Sequence, residues 1–278
     1  MYSRSVRTVT CLGGGLLLAL LAVPQAQAQR KPQASSPTRP GISSDQPSYR
    51  KEFTYGINVN TRGGLIGGVA VRSTRLLTQD WARFWSIEAV EIKHPKEEKG
   101  ISNRGGSFVK GKSNHLFALR PSFGVQRVIF RKAPDSGVQV NGLLSGGPSI
   151  GLLMPYYISY NYSPDPNNTP IDVRNEQYDP ELHDNPARQT SLERIIDRAP
   201  LFAGVGETKP IIGAHIRGAL SFEYGRYRDA VAGAEVGVLL EAYSKTPVII
   251  RSLQTDDNSI NDQFLPSVYL TIYLGSRN

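Results

Sequence analysis

His215 is the histidine whose neighbours could do chemistry, because Ser221 and Glu223 stand on the same parity of one stretch, offering a hydroxyl, a base and a carboxylate. The spacing argues against a local triad. On a strand, His215 and Ser221 are six residues apart, roughly 20 Å at about 3.3 Å per residue. Any catalytic partner must then come from another strand, and His215 reads better as a satisfied, hydrogen-bonded lumen histidine. His94, His115 and His183 fall in or beside long connections, and no His or acid spacing makes a transition-metal site. Asp165, Asn167, Asn168 and Asp172 could wrap a Ca²⁺ but lack the EF-hand order, and a solvated turn cluster accounts for them. Nothing in the sequence calls for a cofactor.

A second set of residues points to structure. Arg72, Glu88, Arg120, Arg217, Glu223, Glu235 and Glu241 all occupy the polar parity of alternating segments, where the remaining positions are largely small or uncharged. Isolated opposite charges among Gly, Ser and Ala suit a crowded interior in which they pair. A water-washed strand face would carry long charged side chains at every second position.

The elements that must position these residues are strands. From Pro210 to Tyr243, Ile212, Ala214, Ile216, Leu220, Phe222 and Tyr224 oppose His215, Arg217, Ser221 and Glu223. Past a turn at Tyr227–Ala230, Ala232 to Ala242 oppose Gly233 to Tyr243 with the same period of two. Earlier strands run through Phe53–Asn60, Leu65–Arg72, Trp85–Ala89, Phe117–Gly124 and a long Val138–Tyr160; a last one covers Leu265–Gly275. Pro121 sits in mid-strand, against the usual rule, and Gly146-Gly147 suggest a bend or bulge. Trp81 and Trp85 are of the type that favours a membrane interface, though a core position suits them as well.

Eight strands make an even count, and their connections sort by side. The links Leu77–Asp80, Arg131–Gly137 and Tyr227–Ala230 are short; His94–Lys112, Asn161–Lys209 and Lys245–Gln263 are long, and only the first hairpin, at Arg62-Gly63-Gly64, is brief on the long side. That asymmetry belongs to an antiparallel up-and-down transmembrane barrel with long external loops. An eight-stranded barrel is narrow enough for side chains to fill it, so the lumen should be plugged.

The N-terminus sets the compartment. Arg4 and Arg7 precede a twelve-residue apolar run, Leu12–Val23, and a small-x-small site at Ala26-Gln27-Ala28, the pattern of a cleaved signal peptide over residues 1–28. Residues 29–50 are rich in Pro, Ser and Gln and read as a disordered periplasmic lead-in. The barrel occupies 51–278. Cys11 lies in the signal, so the mature chain has no thiol for a disulfide, nucleophile or metal site. The net charge of +8 falls to +6 on processing, and without a nucleic-acid-binding motif it points to anionic lipid.

The long loops differ in sign. Ser163–Lys209 carries nine acids and five bases, and Pro95–Lys112 five bases and two acids. They could clasp each other over the mouth; alternatively the basic loop meets lipopolysaccharide phosphates and the acidic one binds cations or a partner. Thr190 and Glu193 form a capping box before Leu192, Ile195 and Ile196, predicting a short amphipathic helix.

The signal peptide, Gly-Gly-Pro-Ser at Gly146–Ser149, the strand His215–Gly225 and the terminal Tyr269-Leu-Thr-Ile-Tyr-Leu-Gly275 resemble outer-membrane β-barrel proteins of Bacteroidota, broadly the PorT-like family. The resemblance covers Lys51–Asn278, although the chain ends Gly-Ser-Arg-Asn where the usual assembly signal ends on an aromatic. It implies a substrate of the assembly machinery inserted into the cell outer membrane; the charge and loops add the expectation of contact with lipid and lipopolysaccharide and of a surface or secretion-system partner, with no nucleic acid. Three readings stand: a non-enzymatic outer-membrane barrel working through its loops; a lipid-modifying enzyme of the lipid A deacylase or acyltransferase type using His215 or His115; and a soluble lipocalin-like periplasmic barrel with apolar residues inward.

Overall fold

The computed structural model describes residues 50–131, 137–164, 171–185, 192–224 and 230–278. The signal peptide, all but Arg50 of the lead-in, turn residues 132–136 and 225–229, Asp165, Asn167, Asn168 and the Thr190 cap lie outside them.

Eight strands form the wall: β1 Lys51–Asn60, β2 Gly64–Leu76, β3 Trp81–Ile92, β4 Asn114–Phe130, β5 Val138–Pro155, β6 Lys209–Tyr224, β7 Ala230–Tyr243 and β8 Phe264–Arg277. Each pairs antiparallel with the next, and β8 closes on β1 from Glu52↔Arg277 to Asn60↔Tyr269. Closure leaves no free edge, so the strands pair on both sides around the whole wall.

The alternation in the sequence becomes two faces. In β3, Ala82, Phe84, Ser86, Glu88, Val90 and Ile92 are buried, while Trp81, Trp85 and Ile87 are exposed. The same division recurs in β7, where Glu235 and Glu241 are buried and Val236, Val238 and Leu240 exposed. Polar residues line the lumen and apolar ones face out, the reverse of the lipocalin-like arrangement.

Three local expectations change. The 119↔150 register of β4 with β5 resumes unaltered as 123↔146, so there is no bulge at Gly146-Gly147. Pro121 and Pro148 instead fall opposite each other, two residues without an N–H meeting where the ladder is interrupted. Gly147 is needed there because a Cβ would stand 2.2 Å from the Pro121 carbonyl oxygen.

The fifth strand ends at Pro155, not Tyr160. Residues Tyr157–Asn161 leave the wall and form the middle of a separate sheet, between Val173–Gln177 and Ile195–Arg198. The predicted amphipathic helix is likewise absent: Leu192–Arg194 make a single 3₁₀ turn and Ile195 starts a strand, its β-branched side chain fully buried against that sheet. No described helix is long and apolar enough to cross a membrane.

Candidate functional site

The lumen is a layered set of ion pairs. Arg120 on β4 grips Glu241 on β7 with two hydrogen bonds, Nε to Oε1 at 2.9 Å and Nη2 to Oε2 at 2.7 Å, and donates through Nη1 to Glu88 on β3 at 3.4 Å. Arg217 on β6 also donates to Glu88 and lies 4.8 Å over the Tyr269 ring. Nearer the termini, Arg72 on β2 reaches Glu235 on β7, which also accepts the Tyr269 hydroxyl at 2.6 Å. Arg277 on β8 bridges Glu52 on β1 and Glu223 on β6.

The structure thus brings together all seven charged residues singled out in the sequence. It adds two that sequence reasoning missed, Glu52 and Arg277. Both lie one alternation beyond the strand ends inferred from apolar rows, Phe53 and Gly275, so continuing the parity of Thr54 and Tyr273 would have found them. The tyrosines were missed as well. Tyr269 and Tyr273 point inward, and Tyr273 fits because Gly233 faces it, where a Cβ would stand 2.5 Å from its hydroxyl.

His215 is buried among these groups. The Ser122 hydroxyl lies 2.8 Å from its Nε2 and the Ser149 hydroxyl 3.0 Å from its Nδ1, so serines from the two preceding wall strands occupy both ring nitrogens. Ser221 is not a partner; its hydroxyl bonds that of Tyr273 at 2.6 Å. The interstice between Asn58, Glu88, Arg120, Arg217 and Tyr269 is too small for a water molecule. With a serine hydroxyl at each ring nitrogen, His215 stands as a hydrogen-bonded interior histidine.

At the end away from the termini, the inward parity turns apolar. Val90, Ile92, Leu116, Ala118, Tyr243 and Leu265 meet Ile249 and Ile250, which the 244–263 connection folds over the mouth. Asn261 holds that fold: its Oδ1 accepts the Ile249 and Ile250 amides at 2.9 and 3.0 Å. The remaining histidines serve the same end. His94 Nε2 donates to the Ile260 carbonyl at 3.0 Å while its Nδ1 accepts the Lys96 amide at 3.1 Å, and burial pushes its imidazole below the ordinary range. His115 stands 3.1 Å from Glu91, and the fully buried His183 3.0 Å from Glu176. Among the described residues no group of three or more His, Cys, Asp or Glu could hold a metal ion.

Above the mouth the two long loops join into one head. A hairpin of Lys99–Ile101 and Ser107–Val109 places Phe108 against Tyr156, Ile158, Tyr160, Tyr178 and Ile195. Ser102 Oγ donates to the Ile196 carbonyl at 2.6 Å, and the Ser107 amide to Asp197 at 3.0 Å. The clasp between basic and acidic loops is therefore built on an aromatic core and hydrogen bonds between side chains and backbone. Lys112, the buried base of the basic loop, is neutralised within its own segment by Glu97 at 2.9 Å.

Fold and site together define a closed, eight-stranded up-and-down barrel with a charge-sealed lumen and a folded head on one rim. No family model and no curated protein matches the chain. Among solved structures it is similar to Ail, the attachment invasion locus protein of Yersinia pestis, at 10% identity and a TM-score of 0.36 over 84% of this chain and 99% of that one. It is also similar to Neisserial surface protein A, at 8% identity and a TM-score of 0.35 over 83% and 97%. At these values the likeness is one of shape, and the barrel rests on its own strand register.

Proposed function

We propose that this chain is an outer-membrane β-barrel protein, exported by its N-terminal segment, in which the barrel is a non-enzymatic anchor and the head does the binding, as a surface receptor or an assembly or secretion accessory. The observation that carries this reading is the exposed apolar ring. Phe53, Tyr55 and Ile57 on β1, Val69 on β2, Trp85 and Ile87 on β3, Leu119 and Phe123 on β4, Leu144 and Ile150 on β5, Ile216 and Phe222 on β6, Val236 and Val238 on β7, and Leu270 and Ile272 on β8 are each at least 37% exposed. A patch of that extent, wrapping the whole circumference, has no place in water. On β6 the row runs from Ile212 to Tyr224, roughly 30 Å of height at the tilt of about 40° usual for such barrels.

With that solvent outside, ion pairs inside are the consistent arrangement, and the sealed lumen supports an anchor more than a channel. The kinship with PorT-like barrels of Bacteroidota rests on sequence pattern and belongs to the same proposal. The termini then face the periplasm and the head faces the cell exterior.

Membrane fractionation with a heat-modifiable gel shift tests the anchor: a chain recovered in the soluble periplasm, with one mobility before and after boiling, refutes it. Lipid A from cells with and without the gene should have one mass profile, and a difference abolished by His215→Ala would restore the enzymatic reading. A tag in the Ser163–Lys209 loop should be accessible on intact cells and recover the head's partner.

A further inference from the structure

Among the described residues, the outer face of the wall is apolar until it nears the termini, and there, on one side, it becomes cationic. Lys51 on β1 pairs in register with Arg75 on β2, and Arg75 pairs with Arg83 on β3. Arg127 on β4 stands diagonal to Arg83, opposite Trp81. All four are exposed on the outward parity. Glu52 and Thr74, beside them in sequence, point inward, and none of the four has a carboxylate partner among the described residues; Arg127 lies 5.4 Å over the Trp81 ring. Two described ion pairs on that rim, Arg131 with Asp80 and Arg277 with Glu52, do not include any of the four.

Like charges directly opposite on neighbouring strands repel. A three-strand row of them has no structural use unless something anionic lies against it. The next layer toward mid-wall says what depth this is: Phe53, Ser73, Trp85 and Phe123 align in register immediately above the cations, and three of these four are exposed aromatics. Aromatic rings then cations, in that order outward from an apolar band, is the sequence of environments from acyl chain to glycerol to headgroup phosphate. The opposite side of the rim differs. There the described outward residues include Val138, Tyr224, Ala230, Leu274 and Ser276, none of them charged.

We infer that Lys51, Arg75, Arg83 and Arg127 form a one-sided binding surface for anionic phospholipid headgroups in the leaflet on the termini side of the membrane. This inference rests on the outer-membrane reading. Arginine forks grip phosphate oxygens in pairs, and the adjacent Arg75 and Arg83 offer two such forks to one headgroup. Binding there relieves the cross-strand repulsion and fixes which flank of the barrel carries an annular anionic lipid.

Native mass spectrometry of the purified barrel chain with added phosphatidylglycerol, phosphatidylcholine or lipid A tests it. The wild type should retain phosphatidylglycerol about tenfold more than phosphatidylcholine, and Lys51→Gln/Arg75→Gln/Arg83→Gln should abolish the preference, on the scale of a severalfold effect per cation. The variant removes repulsion and should keep its heat-modifiable shift; Arg251→Gln, on the opposite rim, should keep the lipid preference. Equal retention of the two phospholipids by the wild type, an undiminished preference in the triple variant, or a preference for lipid A over phosphatidylglycerol would each overturn the inference. A chain that enters no vesicle of any composition would sink the membrane reading beneath it, whereas one that inserts without lipid preference sinks this inference alone.

Discussion

Arg120 and Glu241 stand three strands apart around the wall, yet their side chains meet across the lumen as a bidentate pair at 2.7 and 2.9 Å. Both are almost fully buried, and Glu241 borders His215 in the β6–β7 register. The pair works as a crossbar, tying opposite walls that share no backbone hydrogen bond. Removing Arg120 leaves Glu241 charged and buried without its ion pair, and removing Glu241 leaves Arg120 with only the longer contact to Glu88. Arg120→Met or Glu241→Leu alone should cost about 3–5 kcal/mol, and the double variant should recover part of that loss. Urea unfolding of the four proteins in lipid vesicles measures the cycle; single losses that simply add would mean the crossbar carries no coupling.

Ile216 lies on the outer face of β6, 52% exposed, near the middle of the apolar row. In hydrocarbon, Ile216→Lys should destabilise the vesicle-inserted barrel by roughly 2–4 kcal/mol. In water the same exposed change would fall within about 0.5 kcal/mol. A near-zero effect in vesicles is incompatible with lipid around the barrel.

Ile158 is fully buried in the head beside Tyr160 and Ile195. Its truncation opens a cavity there while leaving the ion pairs below untouched. Ile158→Ala should cost the head about 2–5 kcal/mol, seen as faster protease cleavage within residues 156–208. The temperature at which the barrel loses its heat-modifiable form should stay where it was, and a parallel fall would show that head and barrel unfold as one unit.

His94 is a neutral imidazole in the fold, since Nε2 donates to Ile260 and Nδ1 must keep its lone pair to accept from Lys96. With its folded pKa lowered by burial, the unfolded chain binds the proton more readily. Stability at this join is therefore full above the unfolded value near 6.5 and falls as pH drops below it. The protection of the Lys96 amide, taken relative to its intrinsic exchange rate at each pH, should fall from pH 7.5 to pH 5, and His94→Gln should flatten that dependence. An exchange profile that is the same for both proteins would remove His94 as its cause.

Much of the barrel was legible in the sequence because each wall strand meets two unlike environments, and a period of two records that contrast residue by residue. The seven lumen charges were readable for the same reason. Glu52 and Arg277 escaped because the strands were bounded by their apolar rows, and these pair across the β1–β8 seam beyond the last aliphatic residue on either side. Ile195 and the end of β5 escaped for another reason. The head buries its residues on both sides, so Tyr156–Tyr160 continues the wall's pattern after the chain has left the wall, and Leu192, Ile195 and Ile196 fit a helical spacing while β-branching and the Tyr157–Asn161 edge pull Ile195 and Ile196 into a strand.

Sequence by itself determined that this chain makes eight two-faced strands with short turns at one end and long connections at the other. Only the tertiary structure decided which face is the inside and which arginine meets which glutamate. A period of two is unchanged when a sheet is turned inside out, and partners such as Arg217 and Glu88 are set by the stagger at which the sheet closes on itself, a property of no single strand.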